Sequence, residues 1–355
     1  MRINRAAWLG ILLSGMVTSR ALATVNFTVN FSDPNQTYSA YYSEIQSNLL
    51  AAGANWSRYL IGDTTISLDV EFTNDPGATG RSWTTQYVQT DTGVDVYAQG
   101  AGYKVATGSD PGAPYDAIIT IGTDYLENNL WFDPDPIART ATIPANRTDA
   151  VSVFIHELAH VFAFNGWRDS DTWDLPGDYE STFDELVTTQ SGNAYFVGAA
   201  AKKVYGGPVP ITYGDYAHFG NEPPLPGSDL IQHELMNGVV FNYSQRYYIS
   251  PLDLAVFQDV GVPVNATLLL GDTNDDGKID GTDLEMLTAN IGKHVTTGYA
   301  AGDLDGNGIV NSDDFALFSL GLSSYNAAAP TWVPEPAQSF IGIAALCFTW
   351  KRRRR

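Results

Sequence analysis

The sequence predicts an α+β fold followed by a small all-α module. Three observations support this prediction. An amphipathic pattern with end signals predicts one helix within residues 148–167. Alternating apolar and polar residues at 66–72 predict a half-buried strand, and an apolar run at 115–122 predicts a buried strand. An acidic segment at residues 271–323 contains an internal repeat, and a short helical pattern follows each copy. The 355 residues suffice for one large and one small domain.

The remaining elements are expected in the following order. Residues 41–56 carry apolar positions at helical spacing, and residues 94–105 read as an edge strand broken by Gly100 and Gly102. A polar loop at 126–147 leads to the central helix, and residues 168–217 read as a loop-rich insertion. Ser250 as cap and Pro251 at the first helical position predict a last helix, which Gly261 ends.

The central helix carries the chemistry-bearing motif His156-Glu157-Leu158-Ala159-His160. Histidines four residues apart share one helical face, so both imidazoles can reach one metal ion. Glu157 beside them is placed to accept a proton from a metal-bound water. The opposing interpretation is a coincidental match, but a cap at Thr148 or Asp149, an apolar back face and a stop at Asn165-Gly166 favour the zinc site.

A catalytic zinc ion usually takes three protein ligands, so a third ligand is expected. The candidates are His218, His233 and Glu180. Glu180, with Asp184 four residues further, has a spacing similar to that of thermolysin-like peptidases, but Pro176-Gly177 directly before it argues against a ligand-bearing helix.

His218, the segment Glu234-Leu-Met-Asn-Gly and the final helix follow in an order that resembles the leishmanolysin-like branch of the metzincin zinc peptidases. This resemblance implies a two-lobed zinc peptidase domain at residues 24–265. It also implies zinc ligands at His156, His160 and His218, Glu157 as general base, and Met236 in a turn beneath the metal. Met236 as an ordinary core residue is the alternative. Ala163 replaces the family's usual glycine, and we expect the helix to run longer for that reason.

The repeat predicts two calcium loops, because oxygen-bearing side chains stand at loop positions 1, 3, 5, 9 and 12 and position 7 offers its carbonyl. The predicted ligands are Asp272, Asn274, Asp276, Lys278, Asp280 and Asp283 in the first loop, and Asp303, Asp305, Asn307, Ile309, Asn311 and Asp314 in the second.

Paired loops of this kind, each followed by a helix (residues 284–291 and 315–322), resemble a type I dockerin. This resemblance implies two structural Ca²⁺ ions at residues 268–325 and a cohesin-like partner. A role as a spacer is the alternative.

Both ends of the chain read as sorting signals. Residues 1–23 combine basic residues, an apolar run and Ala21-Leu22-Ala23, which is the order of a secretory signal peptide. Residues 333–355 combine Pro334-Glu335-Pro336, a short apolar stretch and an arginine cluster, and they resemble a PEP-CTERM signal. That resemblance implies processing by an exosortase and a cell-surface or matrix location in a Gram-negative bacterium. Membrane anchors are the alternative, but both apolar runs are shorter than a bilayer requires.

Composition narrows the function. A net charge of −21 disfavours nucleic acid as a partner, and Cys347 as the only cysteine excludes an internal disulfide. We therefore expect a secreted zinc endopeptidase that hydrolyses peptide bonds in protein or peptide substrates. The alternatives are a non-catalytic surface adhesion or scaffold protein that keeps the peptidase fold, and a thermolysin-like enzyme that uses Glu180.

Overall fold

The computed structural model describes residues 24–328 except 138, 140, 221–233, 239–240, 266–270, 274–277, 296–300, 303 and 305–308. The strands are β1 Val25–Ser32, β2 Thr64–Thr73, β3 Ala78–Ser82, β4 Thr85–Asp91, β5 Val94–Gln99, β6 Ala117–Gly122, β7 Leu130–Trp131, β8 Thr148–Asp149, β9 Tyr179–Ser181, β10 Val187–Gln190, β11 Asn193–Phe196 and β12 Val209–Pro210. The helices are α1 Tyr42–Ser57, α2 Gly100–Thr107, α3 Thr123–Asn128, α4 Ala150–Phe162, α5 Ala199–Tyr205, α6 Pro251–Asp259, α7 Gly281–Asn290 and α8 Ser312–Ala328, and short 3₁₀ helices lie at Ser39–Tyr41 and Asp184–Leu186. The mixed α+β class is confirmed.

The main sheet has the strand order β1-β2-β6-β3. Strands β1, β2 and β6 are parallel, whereas β3 is antiparallel to β6 and forms one edge. Helices α1 and α4 pack together beneath this sheet, and the indole N–H of Trp56 donates to the carbonyl of Ile155 at 2.9 Å. Trp56 also stacks on Phe257 of α6, with ring centroids 4.3 Å apart. The core therefore encloses α4 from the sheet, from α1 and from α6.

Three smaller sheets accompany the main sheet in the described residues, and one of them is the parallel pair β7 and β8. Strands β4 and β5 form a hairpin through Thr92-Gly93, which both have positive φ, and β9 adds to β5 in parallel. Strands β10, β11 and β12 form an antiparallel sheet. The expectation of an irregular insertion at 168–217 is therefore wrong, because short strands with few apolar residues leave little periodicity in the sequence.

The prediction of an edge strand at 94–105 is also wrong in part. Strand β5 lies between β4 and β9, and helix α2 begins at Gly100. The two glycines interpreted as strand breakers permit close packing instead. A Cβ at Gly102 would lie 2.6 Å from the carbonyl oxygen of Phe162, so this glycine lets α2 approach the end of α4.

Helix α4 begins and ends differently from the expected limits. Asp149 is the cap, and its carboxylate accepts a hydrogen bond from the backbone N–H of Ser152. The helix ends at Phe162, and Ala163 leaves helical geometry with φ −144°. The expectation of a longer helix after the replacement of glycine by Ala163 is therefore wrong. The conformation that ends this helix lies at negative φ, which alanine adopts without strain.

Strand β3 approaches α4 closely at Gly80. A Cβ there would lie 2.1 Å from the carbonyl oxygen of Glu157, so only glycine fits without movement of the strand. This contact fixes the distance between the edge strand and the helix.

We predict that Gly80→Ala lowers the free energy of unfolding by about 1–3 kcal/mol, because the methyl group must displace β3 from α4. Urea unfolding followed by circular dichroism would measure the change. Gly207→Ala is the matched control, since nothing lies within 4 Å of a Cβ at that position. Equal stability of the two variants would contradict the packing assigned to Gly80.

Candidate metal centre

Three histidines meet beside α4. His156 and His160 project from one face of the helix, and His218 comes from the segment that follows β12. Their Nε2 atoms form a triangle in which each pair is 3.1 Å apart. Among the residues that the structure describes, this is the group of His, Cys, Asp and Glu side chains arranged to hold a metal ion.

The other ring nitrogen of each helix histidine is held by the backbone. His156 Nδ1 lies 2.8 Å from the carbonyl oxygen of Leu235, and His160 Nδ1 lies 2.5 Å from that of Phe164. A carbonyl oxygen only accepts, so each Nδ1 carries the proton and each Nε2 presents a lone pair. This is the tautomer of a metal-ligating imidazole.

A carboxylate orients the third histidine. His218 Nδ1 lies 3.2 Å from Asp215 Oδ1 and 3.3 Å from the carbonyl oxygen of the same residue. His218 Nε2 therefore also presents a lone pair to the centre of the triangle. A carboxylate hydrogen-bonded to a ligating histidine is common at zinc sites, where it orients the ring.

This donor set fits zinc. A tetrahedral ion about 2.0–2.1 Å from three imidazole nitrogens places those nitrogens roughly 3.3 Å apart. The 3.1 Å triangle is close to that spacing. Three lone pairs that face one another repel, and a cation between them removes the repulsion. Three histidines can also leave further positions at the ion for water or substrate.

Burial keeps the helix histidines uncharged. It lowers the pKa of His156 well below the usual range and that of His160 to about 3, and the neighbouring imidazoles add to both shifts. Both rings are therefore neutral at neutral pH, which is the form that binds metal.

Glu157 lies in the same cleft and is only 5% exposed. Burial raises the pKa of its carboxyl group well above the usual range, and a hydrogen bond from the backbone N–H of Gly80 opposes this shift. The charge of Asp215 adds to the increase. A carboxyl group whose pKa is raised in this way is suited to accept and release a proton.

The cleft has a volume of about 570 Å³. The edge strand β3 and the preceding turn form one wall, and Tyr125 and Phe241 lie on another. The segment at 215–218 and the end of α4, including Asn165 and Gly166, complete the lining. The triad and Glu157 therefore share a single open groove beside an edge strand.

The turn that contains Met236 supports the triad through its backbone. Met236 is fully buried, and its carbonyl oxygen accepts from the N–H of Phe219 at 2.7 Å. The neighbouring carbonyl of Leu235 holds His156. The turn thus connects the segment that carries His218 to the helix that carries His156.

Two carboxyl groups interact at this turn, that of Glu234 in the turn itself and that of Asp253 in α6. Burial raises the pKa of both Glu234 and Asp253, and the charge of Glu234 raises that of Asp253 further. Asp253 also accepts from the backbone N–H of Ser250 at the start of α6. Enclosure and mutual repulsion therefore favour at least one protonated carboxyl group in the pair.

Of the other candidates for third ligand, Glu180 lies away from the histidines. Glu180 is on β9, 3.3 Å from Arg168, and is not part of the histidine group. Asp184 accepts hydrogen bonds from the N–H of Trp167 and from the hydroxyl of Tyr216, so it braces the loop after α4. His233 lies outside the described residues.

The C-terminal module repeats one arrangement twice. Asp283 accepts from the N–H groups of Thr273 and Asp280 at 2.7 and 2.8 Å. Asp314 accepts from those of Leu304 and Asn311 at 2.6 and 2.7 Å. Each loop is thus closed by its last predicted ligand.

Helices α7 and α8 begin within or directly after these loops and pack around a separate small apolar cluster. Of the remaining predicted ligands, Asp272, Lys278 and Ile309 are described, whereas Asn274, Asp276, Asp303, Asp305 and Asn307 lie outside the described residues.

Residues 270–319 match the dockerin type I domain. The chain thus carries a calcium-binding module of the kind that docks to cohesins and occurs in extracellular or cell-surface proteins. No curated protein and no solved structure shows significant similarity to the chain. Within the described residues, no helix is long and apolar enough to cross a membrane.

We predict that calcium removal unfolds the dockerin domain, because its small apolar cluster gives it little stability of its own. Titration with EGTA should abolish a calcium-dependent thermal transition. Asp283→Ala and Asp314→Ala should each weaken binding of one Ca²⁺ at least tenfold, measured by calorimetry. A transition that persists unchanged in EGTA would contradict this prediction.

Proposed function

We propose that the chain is an exported zinc endopeptidase of the metzincin type, with His156, His160 and His218 as zinc ligands. The observation that carries this proposal is the convergence of three Nε2 atoms, each 3.1 Å from the others, in the cleft that also holds the buried carboxyl group of Glu157. A site with three neutral ligands and an adjacent base is typical of metal-assisted hydrolysis.

Bound Zn²⁺ would supply Lewis acidity, which polarises a peptide carbonyl and makes water more acidic. Glu157 would accept the proton of the attacking water and return it to the leaving amine. The N–H of Gly80 keeps the carboxylate directed into the cleft during this cycle. Positive charge at the triad would also oppose the effect of burial on the pKa of Glu157.

The edge strand β3 supports an extended peptide as the substrate. Among the described strands it pairs only with β6, so its other edge faces the cleft, where residues 77–80 form part of the wall. An extended peptide can add to such an edge through main-chain hydrogen bonds, which place its carbonyl groups along the cleft.

Two alternatives fit the geometry less well. A thermolysin-like site would need Glu180 beside His156 and His160, but Arg168 pairs with that carboxylate on β9. A non-catalytic adhesion or scaffold protein would not need a buried carboxyl group beside three aligned imidazoles. Burial of such a group costs free energy, and a catalytic role explains why it is kept.

The ends of the chain add a proposed route of export. We infer a signal peptide at 1–23 and a PEP-CTERM signal at 333–355 that an exosortase processes, which places the enzyme at the surface of a Gram-negative bacterium. Both segments lie outside the described residues. A cohesin-like partner would then hold the enzyme through its dockerin domain.

We predict that Glu157→Gln binds one Zn²⁺ per chain but cleaves casein about 10²–10⁴-fold more slowly, because it retains the ligands and loses the base. His218→Ala should lose both zinc and activity. Zinc content by mass spectrometry of the purified protein and cleavage of fluorescent casein would measure these effects.

Glu180→Ala is the control, and it should retain zinc. Loss of zinc in Glu180→Ala with full occupancy in His218→Ala would contradict the ligand assignment. Undiminished cleavage by Glu157→Gln would contradict the role of the base.

We predict that Asp215→Asn lowers zinc affinity about 10–100-fold, because His218 loses its charged hydrogen-bond partner. Competition with a chelator of known affinity would measure the change. Asp110→Asn is a matched control: Asp110 and Asp215 have 54% and 56% exposed side chains, and each pairs with one cationic or imidazole group. Equal zinc affinity of the two variants would contradict the orienting role of Asp215.

A further inference from the structure

A strip of aromatic side chains covers one face of the β4-β5-β9 sheet. Tyr87 and Tyr97 are paired across β4 and β5, and Tyr179 on β9 lies on the same face because Asp95, its partner, is two residues from Tyr97. Trp167 lies between Tyr97 and Tyr179. Successive ring centroids from Tyr87 to Tyr179 are 5.8, 6.2 and 5.8 Å apart. We call these four residues the aromatic strip.

The aromatic strip faces outward. Tyr87 and Tyr179 are 47% and 44% exposed, whereas Val96 and Glu180, on the opposite face, are buried. Tyr97 and Trp167, between these two ends, are half-buried. Single exposed aromatic residues are ordinary on protein surfaces, but a connected row of aromatic rings with exposed ends is a candidate interaction site. Tyrosine and tryptophan suit this role because they combine a large apolar face with a polar tip.

Polar groups accompany the rings. The hydroxyl groups of Tyr87 and Thr90 are 2.8 Å apart, and Thr90 donates to Asp95 at 2.6 Å. Successive ring planes are inclined by 76°, 52° and 58°, so the face offers both ring faces and ring edges. Hydroxyl and carboxylate oxygens border the rings and can accept hydrogen bonds from a ligand rich in hydroxyl groups.

These features select among the ligands that stack on aromatic rings. Nucleobases stack in this way, but the net charge of −21 repels a phosphate backbone. A sugar ring has an apolar C–H face and hydroxyl groups at its edge. The C–H face can pack on the aromatic rings, and the hydroxyl groups can donate to the oxygens beside them. We propose that the aromatic strip binds an uncharged polysaccharide, with sugar rings packed against the exposed aromatic side chains.

The aromatic strip lies close to the cleft that contains the histidines. Trp167 directly follows Asn165 and Gly166, which line the cleft beside the histidines. A glycan on the strip would hold the cleft close to proteins embedded in the same matrix. The binding itself does not depend on a metal ion or on proteolysis.

The test is depletion of the full-length chain from solution by amorphous cellulose, chitin or starch granules. The wild type should bind at least one of these polymers, and soluble oligosaccharides of that polymer should release it. Tyr179→Ala should bind about tenfold more weakly because one stacking contact is lost.

Tyr213→Ala is the matched control and should bind like the wild type. Tyr213 is 49% exposed and packs 5.8 Å from Trp173, as Tyr179 packs 5.8 Å from Trp167. Thermal unfolding would confirm that both variants fold. Glu157→Gln should also bind normally, which separates glycan binding from the proposed catalysis.

Three results would overturn the proposal. The first is no retention of the wild type on any of the three polymers. The second is equal retention of Tyr179→Ala and Tyr213→Ala. The third is binding of peptides with aromatic residues to the aromatic strip. In that case Tyr179→Ala would lose peptide binding, and the polysaccharides would not compete with the peptides.

Discussion

The structure depends on one electrostatic constraint, the mutual approach of three imidazole lone pairs. Nε2 atoms 3.1 Å apart repel unless a cation or a proton lies among them. Hydrogen bonds at Nδ1 fix the rings in this arrangement, and burial keeps the helix histidines free of the protons that would relieve the repulsion. The fold therefore holds a geometry that a divalent metal ion would stabilise.

The rest of the larger unit positions these rings by packing and by backbone contacts. Helix α4 is enclosed by α1, α6 and the main sheet. The hydrogen bond from Trp56 to the carbonyl of Ile155 fixes the position of α4 relative to α1. His218 lies in no helix or strand. The next residue, Phe219, is bonded twice to the turn that contains Met236: its N–H donates to Met236, and its carbonyl accepts from the N–H of Gly238. Precision at the third histidine thus comes from main-chain bonds between two loops.

The elements that follow from the sequence are those whose signals lie within a short stretch of the chain. The helix with the paired histidines, the strands β2 and β6, the cap Ser250 and the dockerin repeat all have short-range patterns. The order of His218 and Met236 along the chain predicts His218 as the third ligand, and the structure places it beside His156 and His160. The sheets at 168–217 do not follow from the sequence, because their strands are short and contain few apolar residues. Helix α2 does not follow either, because its glycines permit close packing against a distant segment, as Gly102 does against Phe162. The support of His218 by Asp215 was also missed, although a carboxylate three residues before a candidate ligand was a visible signal.

The chain contains a dockerin domain and, before it, a larger unit that holds the three histidines. X-ray absorption at the zinc edge of the purified full-length chain tests most directly whether the three histidines bind zinc. We predict one zinc ion per chain with three nitrogen neighbours at about 2.0–2.1 Å and oxygen at the remaining position. A protein that contains no zinc after loading, or a zinc ion coordinated by carboxylate oxygens without three nitrogens, would contradict it.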